Sequence, residues 1–293
     1  MVYEGQRRRW STRTFRNRSV HFGAGQIITS GGRQQPMLPT PSTSHVCFDN
    51  VYEPAEDSYL LLDTLSAPSE AAFLSARFGE NTPPPLVVEV GTGSGVILAF
   101  VTAHAQIIFQ RADIITLGTD VNSFACQASA RTVDTARLEQ RDSRTSGCGT
   151  FSNTIIGDLA SPIRSNLVDV LIFNPPYVPT EELPDMLNQE IYSITTPSSS
   201  KTFERDSHLL SLSYAGGIDG METTNRLIEH LPDILRPQQG LAYILLCAQN
   251  RPDQVKERIR CWENGWRAET VGHSGKQGGW EKLQILRIWQ EDG

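Results

Sequence analysis

The chain has 293 residues, a formal net charge of −7 and 39% hydrophobic residues, a composition that suits a globular protein with enough apolar side chains to bury a core. No apolar run approaches the roughly 20 residues needed to span a bilayer, so no membrane partner is expected. The five cysteines, Cys47, Cys126, Cys148, Cys247 and Cys261, form no CxxC pair, which argues against a disulfide framework or a zinc site and suits a reducing compartment; the cytoplasm is the expected location, with the nucleus as the alternative.

Charge divides the chain. Residues 1–36 hold seven arginines and one acid, Glu4, leaving 19 basic and 32 acidic residues over the remainder, a net of −13. Affinity for nucleic acid comes mostly from Lys and Arg neutralising phosphates, so direct DNA binding is not expected of so acidic a body. The basic start has the composition of a transit peptide without its amphipathic period. The expectation is a disordered basic extension over 1–45 and one folded domain over 46–293, with translation from Met37 as an alternative reading of the start.

In YEPAEDSYLLLDTL, Tyr59, Leu60, Leu62 and Leu65 recur at helical spacing behind a Pro-Ala-Glu-Asp start, which predicts a helix. LVVEV (86–90), bounded by TPPP, predicts a strand, and VILAFVTAHA behind GTGSG predicts a helix. IITLGTD (114–120) reads as a second strand and SFACQASARTVDTARL (123–138) as a helix with Ser123 as its N-cap. A short strand is expected at TIIGD and a fully apolar one at LVDVLIFN (167–174). Residues 178–213 carry little periodicity and read as a long loop with local helix, a length that is uncommon unless functional or disordered. METTNRLIEHLPDIL predicts a helix, GLAYILLCA a strand, RPDQVKERIRCWENG a helix, and WRAETVGH with EKLQILRIWQ a closing strand pair. Such alternation implies an α/β fold with a parallel sheet covered by helices on both faces.

The candidate chemistry lies at strand ends. VVEVGTGSGVI places Gly91, Gly93 and Gly95 on the turn after the first strand, where glycine lets the backbone bend and approach a ligand closely. The GxGxG spacing is not the dinucleotide fingerprint GxGxxG. Glu89 precedes the turn, at the carboxyl end of a strand, where sheets of this kind bind ligands. Asp120 closes the second strand and can accept both hydroxyls of a ribose; Asp158, after the third, is placed to accept from an exocyclic amine such as that of adenine. Each acid could equally cap a helix or sit in a turn. Together they suit a nucleoside with a positive centre better than a polyphosphate, since a Walker lysine is missing.

FNPPYVP (173–179) ends the fourth strand. Pro175 and Pro176 fix φ and contribute no N–H, so the loop is stiff and presents bare carbonyls. Asn174 Oδ1 and the Pro175 carbonyl can receive the two hydrogens of a planar –NH2 group while the Tyr177 ring packs beside it. Orienting that nitrogen toward an electrophilic methyl would be catalysis by positioning and electrostatics, without a nucleophilic side chain.

The set YEPAEDS, VEVGTGSG, TDVN, GDL and NPPYV resembles the HemK-type class I S-adenosylmethionine-dependent methyltransferases over roughly residues 46–290. VYEPAEDSYLLLDTL, with no helical domain ahead of it, is most similar to the eukaryotic and archaeal branch. The resemblance implies a Rossmann-like, seven-stranded, mostly parallel sheet flanked by helices, S-adenosylmethionine as cofactor, and methylation of the glutamine of the Gly-Gly-Gln motif of class-1 translation release factors. It also implies that Ser58, Glu89, Gly91, Asp120, Asp158 and Leu159 contact the cofactor, that Asn174 to Tyr177 clamp the substrate amide, and that Gly216, Gly217 and Gly220 belong to the family segment after the substrate loop. It implies further a small zinc-binding activator subunit as heterodimer partner, with the zinc in that partner. Competing readings are methylation of another planar amine, such as adenine in nucleic acid, methylation of protein lysine, and a non-catalytic adenosyl-binding scaffold.

Overall fold

The run LVVEV becomes β1 (Leu86–Val90), and alternate residues on it face two different helical layers. In a computed structural model, which describes residues 38–142, 147–185, 199–275 and 282–291, it lies inside a sheet of order β3-β2-β1-β4-β5-β7-β6. The remaining strands are β2 (Ile115–Asp120), β3 (Thr150–Ile156), β4 (Val170–Phe173), β5 (Leu241–Cys247), β6 (Trp266–His273) and β7 (Leu283–Gln290). Pairing is parallel from β3 to β5, and β7 runs antiparallel to both β5 and β6. The expected seven-stranded, mostly parallel sheet is present among the described residues. The compact unit begins at Thr40, and the first 37 residues of the expected basic extension lie outside the described residues.

Helices α1 (Glu56–Leu65), α2 (Pro68–Arg77), α3 (Val96–Ala103), α4 (Ala105–Ile108) and α5 (Ser123–Asp142) come from the first half. The second half contributes α6 (Ser199–Tyr214), α7 (Glu222–Glu229), α8 (Leu231–Ile234) and α9 (Pro252–Arg260). Leu227, Ile228, Leu231, Val255 and Ile259 of α7 to α9 pack on Val88, Val90, Leu171, Phe173, Ile244 and Leu246 of the sheet. On the other side Leu98, Ala99 and Ala103 of α3 meet Val133 and Ala136 of α5. β4 and β5 are buried along their whole length, which is why they read as continuous apolar runs rather than alternating ones.

Four departures from the sequence reading have physical causes. β3 runs earlier than TIIGD because it is an edge strand with a wet face, so Thr150, Ser152 and Asn153 belong to it and Asp158 lies beyond its end. The single helix expected over 221–235 breaks at His230, since Pro232 has no N–H and its ring crowds the carbonyl of Ile228. The expected loop over 178–213 holds α6; its Leu209 and Leu212 face a cavity rather than the main core, and Phe203 stands 75% exposed, so its apolar residues make no clean stripe. Finally, α2 buries Glu70 together with Leu74, and an acid on the inward face hides the helical period.

Candidate active site

A cavity of about 470 Å³ opens at the carboxyl ends of β1, β2 and β4, where a parallel sheet places its ligands. It gathers Ser58, Glu89, Gly91, Gly93, Asp120, Asp158, Leu159, Asn174, Pro175, Pro176 and Tyr177 from chain segments more than a hundred residues apart. Gly95 is not among the lining residues. A Cβ on it would strike the backbone of Ser129, so Gly95 serves the close packing of the α3 turn on α5.

The turn after β1 is built for close approach. Gly91 and Gly93 have φ of 68° and 50°, a region that favours glycine, and a Cβ on either would project to ordinary contact distance without filling protein space. The turn is tied down by the Gly91 N–H, which donates to the Thr119 carbonyl at 2.8 Å, and by the Gly93 N–H, which donates to Asp120 Oδ2 at 3.0 Å.

Two carboxylates face this cradle. Glu89 is 1% exposed, and its Oε2 accepts the N–H of Leu98 at 2.9 Å, a donor in the first turn of α3 that has no partner within the helix. Burial holds the Glu89 carboxyl well above the ordinary carboxylate range; the Leu98 N–H opposes this and the Asp120 charge adds to it. Burial also raises Asp120, against the N–H groups of Asn122 and Gly93. Two acids confined in one poorly solvated space favour a cationic or hydroxyl-rich ligand, which would stabilise their charged forms.

Asp158 follows β3 and is engaged by the guanidinium of Arg226 from α7, with both side chains lining the cavity. Leu159 beside it has φ of 51°, an unusual conformation for a non-glycine residue, and its carbonyl accepts the Thr119 hydroxyl at 2.8 Å. Ser58 is buried on the first turn of α1, where its N–H donates to Asp57 Oδ1 at 2.6 Å.

Asn174 leaves β4 with its Oδ1 buried and without a hydrogen-bond partner, although it lines the cavity. A buried carbonyl oxygen left unpaired costs about 1–3 kcal/mol, which makes it an acceptor awaiting a donor. Pro175 is buried behind it. The Tyr177 hydroxyl reaches Asp57 Oδ2 at 3.4 Å, and the same oxygen accepts the Tyr52 hydroxyl at 2.8 Å. Gly216 and Gly220 lie against this loop so closely that a Cβ would clash with the carbonyls of Pro176 and Tyr177 respectively.

Sequence reasoning reached the strand-end acids and the amide but not their supports. Asp57 stands inside YEPAEDS, so adjacency to Ser58 was its only signal. Arg226, Leu209, Leu212 and Asn250 carry no motif, and only the fold brings them to the site or its loop.

No family model matches the chain. The "eRF1 methyltransferase catalytic subunit mtq2" of Schizosaccharomyces pombe is 34% identical over 258 residues, 87% of this chain and 96% of that protein. "Methyltransferase HEMK2" of Mus musculus is 32% identical over 259 residues, 86% of this chain and 97% of the relative. The "Release factor glutamine methyltransferase" of Moorella thermoacetica is 28% identical over 174 residues, 59% of this chain and 50% of that one. On a sheet of this order, with these acids and this loop at its strand ends, the first two relatives, aligned over 96% and 97% of their length, leave one assignment: the chain belongs to the HemK-type S-adenosylmethionine-dependent methyltransferases, in the branch of mtq2 and HEMK2.

Proposed function

We propose that the chain methylates the side-chain amide nitrogen of the glutamine in the Gly-Gly-Gln motif of a class-1 translation release factor. The unpartnered, buried Asn174 Oδ1 in the cavity wall carries this reading, because it is half of a two-hydrogen acceptor that a primary amide satisfies. The names of the curated relatives direct the choice of amide to a release factor. An acidic body, net −13 outside the first 36 residues, opposes the phosphate backbone that an adenine substrate would bring.

When bound, S-adenosylmethionine supplies a methyl group on a positively charged sulfur. Asp120 is placed for the ribose hydroxyls, and Gly91 and Gly93 let the main chain approach without side-chain interference. Glu89, Ser58, Asp158 and Leu159 complete the cofactor wall. Asn174 Oδ1 and the Pro175 carbonyl accept the two amide hydrogens, which turns the nitrogen lone pair toward the methyl group and favours the charge that develops on the N–H bonds; the N–C bond would form as the S–C bond breaks, with S-adenosylhomocysteine as leaving group and one of the two amide hydrogens lost as a proton. Tyr177 covers the planar amide with its ring. The reading includes, from the family resemblance, a small zinc-binding activator subunit that covers an apolar surface of the chain.

The test is a methyl-transfer assay on purified release factor, run with and without a co-expressed activator. Wild type should label the Gly-Gly-Gln glutamine, and Asn174→Ala should lose at least a hundredfold in kcat while its cofactor Kd changes less than about threefold. Label on a different residue, or full activity in Asn174→Ala, sinks the reading. Equal activity without the activator removes that partner from it.

A further inference from the structure

The loop that aims Asn174 has few means of holding itself. Pro175 and Pro176 donate no backbone hydrogen bond, so its position must be set from outside. We propose that Asn250 is a positioning residue for methyl transfer, fixing the NPPY loop to the end of β5. The side chain is 3% exposed and sits in the single 3-10 turn, Ala248–Asn250, that follows β5. Its Oδ1 accepts the Cys247 N–H at 2.7 Å. Its Nδ2 donates to the carbonyls of Asp219 at 2.9 Å, Tyr177 at 3.2 Å and Gly220 at 3.3 Å. One amide therefore joins three separate pieces of chain: a central strand, the last residue of the clamp, and the glycine turn that supports the clamp.

Beside the Tyr177 hydroxyl bond to Asp57, two backbone bonds of the loop go to the same turn. The Val178 N–H donates to the Tyr214 carbonyl at 3.0 Å, and the Gly216 N–H donates to the Val178 carbonyl at 2.8 Å. Gly220, at φ of 68°, lies against the Tyr177 carbonyl with no room for a Cβ. Asn250 is buried and does not line the cavity, so its side chain acts on the site through the loop that it holds. Asparagine suits the place because the turn needs an acceptor at one end and two hydrogens at the other. Aspartate has the same shape and keeps the acceptor, but it turns a negative oxygen toward three carbonyls.

This inference rests on the clamp reading, and the experiment keeps the two apart. Asn250→Asp and the milder Asn250→Ser are assayed beside Asn174→Ala in the full-length chain, with its activator if it has one. Loss of positioning lowers kcat by about 10- to 100-fold in Asn250→Asp. KM for the release factor and Kd for S-adenosylmethionine should stay within about threefold of wild type, and Asn250→Ser should fall between the two in kcat. If Asn174→Ala is inactive while Asn250→Asp turns over at the wild-type rate, the positioning role is wrong and the clamp stands. If Asn174→Ala is active, the clamp itself falls and this role falls with it. Loss of folding, or of cofactor affinity in step with kcat, in both Asn250 variants also overturns the proposal, because Asn250 would then maintain the fold and not the aim of Asn174.

Discussion

Asp57 shows how one buried carboxylate can serve two motifs that are distant in sequence. Its Oδ1 accepts from the N–H and hydroxyl of Ser58, and its Oδ2 accepts from the hydroxyls of Tyr52 and Tyr177. The two tyrosines are not equivalent: 2.8 Å is a full-strength hydrogen bond to a carboxylate, whereas 3.4 Å is near the limit of the interaction. A hydrogen bond to a charged group contributes about 1.5–3 kcal/mol, so Tyr52→Phe should lower the unfolding free energy by that amount. Tyr177→Phe should cost less than about 1 kcal/mol, its ring packing being retained. Urea unfolding of both variants decides between them, and equal losses would mean that Asp57 is held by the two hydroxyls alike.

At the scale of elements, α2 is joined to the far half of the sheet by polar chemistry inside the core. Arg287 of β7 donates to both oxygens of Glu70 at 2.9 Å, and the Tyr243 hydroxyl of β5 donates to Glu70 Oε2 at 2.7 Å. The guanidinium also lies 3.6 Å from the centre of the Phe73 ring. Removing Glu70 takes away the buried partner of Arg287 and leaves it the half-exposed Glu269 at 3.3 Å, so Glu70→Ala should destabilise by about 3 kcal/mol, the low end for a broken buried pair. Replacing the whole network by Glu70→Leu with Arg287→Met and Tyr243→Phe should recover much of that loss in equilibrium unfolding. The same network explains what the sequence conceals. Strands β1, β4 and β5 and the amphipathic α7 and α9 announce themselves because their inward faces are apolar. In α2 the inward face carries Glu70, and in α6 the apolar residues line a cavity, so no local pattern reports either helix. The site divides along the same line. Glu89, Asp120 and Asn174 stand at strand ends that can be found from the strands, whereas Arg226 reaches the site, and Asn250 its loop, through contacts that no motif marks.

On the scale of the whole molecule, the cavity is a cost that the fold carries until a ligand fills it. Glu89 is almost wholly inside, and burial raises its pKa well above the usual carboxylate range. A carboxylate whose folded pKa is raised opposes folding when it is ionised: the penalty is fully present above the folded pKa, shrinks as pH falls through it, and is gone below the unfolded value near 4.3. Glu89→Gln keeps an oxygen for the Leu98 N–H and removes the charge, so the ligand-free variant should melt higher than wild type at pH 8. That advantage should narrow on acidification and vanish near pH 4. Ligand has the opposite effect. Saturation at a hundred times Kd stabilises wild type by about 2.7 kcal/mol, roughly 5–11 °C in Tm for a domain of this size. In Glu89→Gln the ligand-induced rise should be smaller at pH 8, because the ionised acid that favours a positively charged ligand has gone. Thermal melts of both proteins across pH 4–8, with and without S-adenosylmethionine, check the two effects together. A variant that melts lower than wild type when free and gains as much from ligand would show that Glu89 supports the fold and takes no part in binding.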